Sequence, residues 1–215
     1  MPKTKIFLLY SHEDISRFQH EDVIPLKLDQ GPYLESEAFR MLSYSDLPKC
    51  DAIGFITPKS FDNLLLSNNF ELFMKYTLQV EIKEITSVFD FDAYTLEHGV
   101  TSHGETFRQI WNYVSEKLSY KVDYAFKDVP VFFRNAWVGP RSQVIGFLYF
   151  AKEAIRIMDT APEIQDLLYS DPSYAEGKIS KADCLAKFGV PHYTYHPFIM
   201  EMMICLYKYM LAGKN

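Results

Sequence analysis

Lys5-Ile6-Phe7-Leu8-Leu9-Tyr10 is a short, continuously apolar run, as expected for a strand buried on both faces. Working outward, Val23 to Leu28 (VIPLKL) is a second candidate strand, and Pro25 assigns it to an edge. Asp51 to Thr57 (DAIGFIT) is the next strand. Between these two, Leu34 to Leu42 carries apolar residues at 34, 38, 39, 41 and 42 with charges between, a helical pattern closed by Pro48. A mostly helical stretch follows from about Asn63 to Val80. Ile85 to Tyr94 is an apolar, β-prone run that ends in Asp90-Phe91-Asp92.

Beyond it the spacing predicts an amphipathic helix from Glu105 to Leu118, with 107, 110, 111, 114 and 118 on one stripe. Val129 to Val138 (VPVFFRNAWV) reads as a strand stopped by Gly139-Pro140, and Arg141 to Met158 as a long helix with Pro162 beyond it. Smaller helical pieces are expected at Pro162–Tyr169 and Lys181–Phe188. The last helix spans Pro197 to Leu211, with proline tolerated in its first turn. Strands separated by helices predict an α/β fold: one domain with a mostly parallel central sheet flanked by helices.

The chain has 215 residues, enough for one large domain. Aromatic residues make up 16% of it, with 17 Phe and 15 Tyr, a load that leaves rings over to line a cleft. A net charge of −6 with scattered Lys and Arg gives no electrostatic footprint for nucleic acid. Cys50, Cys184 and Cys205 form no Cys-x-x-Cys pair and fit reduced structural thiols in a cytosolic protein. The N-terminal apolar run is too brief for a secretory signal, and no segment approaches the roughly 20 apolar residues that span a bilayer. A soluble, cytoplasmic protein is expected. There is no Gly-x-Gly-x-x-Gly after the first strand, no Walker Lys-Ser/Thr loop and no Gly-x-Ser-x-Gly elbow.

In parallel sheets, ligands bind beyond the carboxyl ends of the strands. That rule selects Ser11-His12, Asp29-Gln30, Thr57 with Pro58-Lys59-Ser60, Asp90 with Asp92, and Arg134-Asn135. Two carboxylates spaced i, i+2 at a strand end suit a hard divalent cation, Mg²⁺ or Mn²⁺, completed by waters and a ligand's phosphates. The same pattern also serves as a solvated turn or helix cap. Lys59 is either a point charge for a diphosphate or a solvated turn lysine. Arg134 and Asn135, inside an apolar run, either pair with an acidic neighbour such as Asp90 or face a ligand. Glu201 lies among Met200, Met202, Met203 and Ile204. It is either a carboxylate placed to suit the helix dipole, or a general base or sugar-hydroxyl ligand.

Several blocks together carry a family resemblance: Tyr33-Leu34-Glu35-Ser36, Ile53-Gly54-Phe55-Ile56-Thr57, His103…Phe107…Trp111, Phe133-Arg134-Asn135-Ala136-Trp137, Pro162-Glu163-Ile164-Gln165 and Tyr193-Thr194-Tyr195-His196-Pro197-Phe198-Ile199-Met200-Glu201. In these the chain resembles a glycosyltransferase family of large DNA viruses and some microbes, distantly similar to bacterial polysaccharide-synthesis transferases. The resemblance covers most of the chain, and its last block is the most specific. It implies a GT-A-like single domain over 1–215, with about 1–95 as the nucleotide-binding half and about 96–215 as the acceptor-binding half. It further implies a nucleotide-diphosphate sugar donor and a glycan or glycoprotein acceptor. Ser11, Thr57, Lys59, Arg134 and Asn135 would serve the donor, Asp90 and Asp92 a Mn or Mg ion, and Glu201 with His196 the acceptor side. The acidic pair is not uniform in the similar families, so Thr57-Pro58-Lys59 is an alternative diphosphate contact.

Overall fold

The structure is a computed structural model that describes residues 3–62, 70–87, 96–119, 135–172 and 180–212. Among the described residues five strands form one sheet: β1 (Thr4–Tyr10), β2 (Val23–Lys27), β3 (Ala52–Ile56), β4 (Thr86–Ser87) and β5 (Trp137–Pro140), in spatial order β2-β1-β3-β5-β4. The helices are α1 (Glu37–Met41), α2 (Pro58–Asp62), α3 (Phe70–Gln79), α4 (Leu96–Lys117), α5 (Arg141–Thr160), α6 (Gln165–Leu168), α7 (Lys181–Phe188) and α8 (His196–Leu211). The chain is a single α/β domain with helices against both faces of the sheet.

The expectation of a mostly parallel sheet is corrected. β1 pairs in parallel with β2 and β3, but β5 runs antiparallel to both β3 and β4. The register gives the reason. Trp137, the first residue of β5, lies opposite Phe55 near the end of β3 and opposite Ser87 at the end of β4. The chain therefore leaves β4 and enters β5 at the same rim, and the connection makes no net crossing of the sheet. Edge strand β2 contains Pro25 as expected, because an edge position needs fewer ladder donors.

Side chains alternate across each strand, so each core strand feeds two layers. Phe7, Leu9, Ile53, Phe55 and Trp137 join the larger core with residues of α1, α4, α5 and α8. Ile6, Leu8, Ile56 and Ala136 face the other way, onto Phe18, Phe61, Phe70 and Met74. Phe7 and Phe55, opposite in register, stack at 5.5 Å, and the Trp137 ring centre lies 4.7 Å from that of Phe55 and 5.2 Å from that of Phe147.

Helix boundaries follow local chemistry. The amphipathic stretch starts at Glu105 because Gly104 breaks α4 with φ 77°, a left-handed value that glycine adopts without strain. Phe107, Ile110, Trp111 and Val114 are then fully buried. The helix expected from Leu34 starts only at Glu37, since Leu34 has φ 52° and opens a 3-10 turn. Pro140 does not stop β5 short but is its last residue and the N-cap of α5. α5 begins where the Arg141 N–H donates to the Asp51 carbonyl and ends where Asp159 meets Tyr33. α8 starts at that second end and returns past Phe147 and Phe150 through Tyr207, so the two helices are antiparallel. Among the described residues no helix is long and apolar enough to cross a membrane.

Gly54 lets β1 and β3 share the smaller layer without a clash. A Cβ there would sit 2.5 Å from Ile6 Cδ1 and 3.3 Å from the Trp137 carbonyl oxygen. Ile6 is fully buried, so its side chain would have to repack within the smaller layer. Gly54→Val should cost about 1–3 kcal/mol, read as a lower denaturation midpoint at unchanged slope. An unchanged midpoint would mean that the layer yields.

Candidate functional site

Parallel pairing of β1 with β3 puts Ser11 and Thr57, each the next residue after its strand, at one rim of the sheet. Antiparallel β5 starts at that rim, which brings Asn135 to the same side. β4 also ends there, at Ser87. The strand-end rule therefore gathers Ser11, Thr57 and Asn135 on one edge of the molecule. Asp90, Asp92 and Arg134 lie outside the described residues.

Each of these residues is held differently. The Ser11 N–H donates to Glu13 Oε2 at 2.8 Å, and its hydroxyl is 2.7 Å from His12 Nδ1. Thr57 Oγ1 accepts the Ser60 N–H at 3.2 Å and shares a 2.9 Å hydrogen bond with the Ser60 hydroxyl, so the threonine caps the first turn of α2. Lys59 is exposed in that turn.

Asn135 is 4% exposed and has φ 50°, the left-handed region that asparagine tolerates better than most residues. Its Nδ2 donates to Ser36 Oγ at 3.2 Å, while its Oδ1 is buried with no partner among the described residues. A buried amide oxygen without a donor costs free energy, on the order of 1–3 kcal/mol. Leu34, two residues before Ser36, is also left-handed, and a leucine has no side-chain chemistry to ease that conformation. Strain of this kind collects where surrounding structure over-determines the backbone, commonly at binding sites.

The 3-10 turn at Leu34–Ser36 joins the rim to the last helix. Tyr33 is fully buried and donates its hydroxyl to Asp159 Oδ1 at 2.7 Å; burial and that carboxylate both push its phenol pKa up. The His196 ring packs edge-on against Tyr33 and Tyr169, each at 4.9 Å, and its Nδ1 lies 2.9 Å from Thr194 Oγ1. Burial pushes the His196 pKa down to about 4, so the imidazole is neutral at physiological pH. Thr194 Oγ1 donates to the Pro32 carbonyl at 3.4 Å. Glu201 is half-buried in α8, with Met200, Met202 and Met203 buried beside it in the sequence.

Glu37 completes the support. It is 3% exposed, and burial pushes its carboxyl pKa up against the opposing pull of the Tyr33 N–H and Arg40. Its Oε1 accepts that N–H at 3.3 Å. Sequence reasoning gave roles to Ser11, Thr57 and Asn135 but none to Glu13, Tyr33, Ser36 or Glu37. The only signal for Tyr33 and Ser36 was their place in a family-like block.

The described residues contain no group of three or more His, Cys, Asp or Glu side chains that could hold a metal ion. A hollow of about 530 Å³ opens beside edge strand β2, lined by Leu8, Ile15, Phe18, Val23 and Pro25 with His20 and Glu21. None of the rim residues lines it. Comparison with protein-family models, curated proteins and solved structures finds no match.

Proposed function

We propose that this protein is a GT-A-like glycosyltransferase that moves a sugar from a nucleotide-diphosphate donor to a hydroxyl of a glycan or glycoprotein. The observation that carries the reading is the convergence of Ser11, Thr57 and Asn135 on one sheet rim, tied through Ser36 and Tyr33 to the start of α8. In this reading about 1–95 is the donor half and about 96–215 the acceptor half. A buried amide oxygen at the rim, without a partner among the described residues, suits a ligand hydroxyl, because a donor arriving there removes a penalty.

Asp90 and Asp92 supply oxygen donors of the type that a Mn or Mg ion takes, and β4 reaches the rim at Ser87, shortly before them. Such an ion, when bound, would stabilise charge on the departing diphosphate. Lys59 and Arg134 are the cations of this chain for the same task. On the acceptor side, Glu201 takes the proton of the attacking hydroxyl as that oxygen bonds to the anomeric carbon and the bond to the diphosphate oxygen breaks. His196, neutral and held by Thr194, Tyr33 and Tyr169, positions the first turn of α8.

A thermal-shift panel of UDP, GDP and ADP with and without Mn²⁺ tests this reading. A nucleotide at about 100 times its Kd stabilises a native state by about 2.7 kcal/mol, or roughly 5–10 °C for a chain of this size. A shift that disappears in EDTA and in Asp92→Asn assigns the diphosphate to the metal; a shift that survives both moves it to Lys59 or Arg134. No shift with any nucleotide overturns the reading. Nucleotide binding without slow hydrolysis of any sugar donor would make the protein a binding module instead.

A further inference from the structure

The turn after β1 is already occupied by an anion, and that anion is the protein's own. Ser11 N–H and His12 N–H donate to the same carboxylate oxygen, Glu13 Oε2, at 2.8 and 3.1 Å. The Ser11 hydroxyl lies 3.4 Å from it. Burial alone would push the Glu13 pKa up, but the backbone N–H groups of Ser11, Glu13 and His12 outweigh it and hold the carboxyl below its usual range. Two successive backbone N–H groups turned onto one oxygen form a nest, a concavity whose partial positive charge favours oxyanions.

Glu13 caps no helix. The 3-10 turn that follows starts at Ser16 with Ile15 as its cap, and the N–H groups satisfied by Glu13 are those at the strand's end. The neighbouring acid does other work, since Asp14 accepts from the Ser16 N–H and hydroxyl at 2.9 and 3.1 Å. Nor does the other rim turn resemble this one: its N–H is closed by the neutral Thr57 hydroxyl.

We propose that the turn after β1 is an oxyanion-binding nest which Glu13 fills in the ligand-free protein, and that a ligand phosphate takes the place of the Glu13 carboxylate. That the phosphate belongs to a nucleotide diphosphate rests on the glycosyltransferase reading. The carboxylate acts as a tethered competitor. It keeps the N–H groups satisfied while the site is empty, and it opposes stray anions by charge until a ligand with further contacts displaces it.

Titration of the wild-type protein, Glu13→Ala and Glu13→Gln with inorganic pyrophosphate, UDP and uridine, followed through backbone amide signals, tests the nest. Glu13→Ala should bind pyrophosphate and UDP at least tenfold more tightly than the wild type, with the Ser11 and His12 amides moving most. Uridine, which lacks phosphate, should gain nothing. Glu13→Gln keeps an acceptor for the turn but removes the charge, so it should show the same gain at smaller size. Unchanged affinity in both variants, or amide shifts that avoid Ser11 and His12, overturns the nest even where nucleotides bind. A pyrophosphate gain at those amides with no response to UDP, GDP or ADP supports the nest and counts against the transferase.

Discussion

Lowering the pH from 7 to 4 should remove about 3 kcal/mol of stability through His196 alone, or roughly 6–12 °C in melting temperature. The unfolded chain binds a proton at this imidazole near the ordinary histidine value of 6.5, whereas the folded chain resists it down to about 4. The contribution is therefore fully present above 6.5 and is lost as pH falls through the window to 4. Glu37 works the other way, because its raised carboxyl pKa makes the folded chain the better proton acceptor in acid. Melting curves of the wild type and His196→Gln across this range decide the matter. The variant should start lower, having lost the packing on Tyr33 and Tyr169, and fall less steeply. Equal slopes would show that the histidine is hydrated in the folded protein.

On the proposed transferase reading, Glu201→Gln should lower kcat for sugar transfer by about 10²–10⁴, the range over which a positioned general base acts. Nucleotide-induced stabilisation should persist, since the base works in the chemical step and not in donor binding. The melting temperature of the free protein should move little, because glutamine keeps the shape and much of the hydrogen-bonding capacity. Transfer largely preserved together with a melting temperature several degrees lower would make Glu201 a structural carboxylate of α8 and place the base elsewhere.

The central strands were legible in the sequence because both of their faces are covered. Lys5–Tyr10 and Asp51–Thr57 need no polar face, and the chain shows none. The stripe from Phe107 to Val114 was legible for the opposite reason: one face is buried and the other is wet. Strand direction was not legible, because an apolar pattern such as that expected over Val129–Val138 is the same whichever way a strand runs; only the pairing of Trp137–Pro140 with β3 and β4 fixes it. The late start of α1 depends on a left-handed Leu34 that helix propensity would not select.

At the rim, Ser11, Thr57 and Asn135 were found by a topological rule that needs only the strand ends. Their partners were hidden by distance along the chain. Asn135 meets Ser36 across 99 positions, and Tyr33 meets Asp159 across 126. Glu13 was hidden for another reason: a carboxylate bonded to the N–H groups just before it leaves no periodic trace in a sequence.

The seating of α8 against the Pro32–Tyr33 turn has a consequence for how the molecule is made. Thr194 and the Pro32 carbonyl it meets are 162 residues apart. At the usual pace of translation, on the order of 5–20 residues per second, the turn waits roughly 10–30 s for the segment that will cover it. During that interval β1, β2 and β3 can pair, but Tyr33 has neither Asp159 to bind nor His196 to pack on. The Pro32–Tyr33 turn is thus covered only once α8 has been made, and until then the paired strands stand without that support.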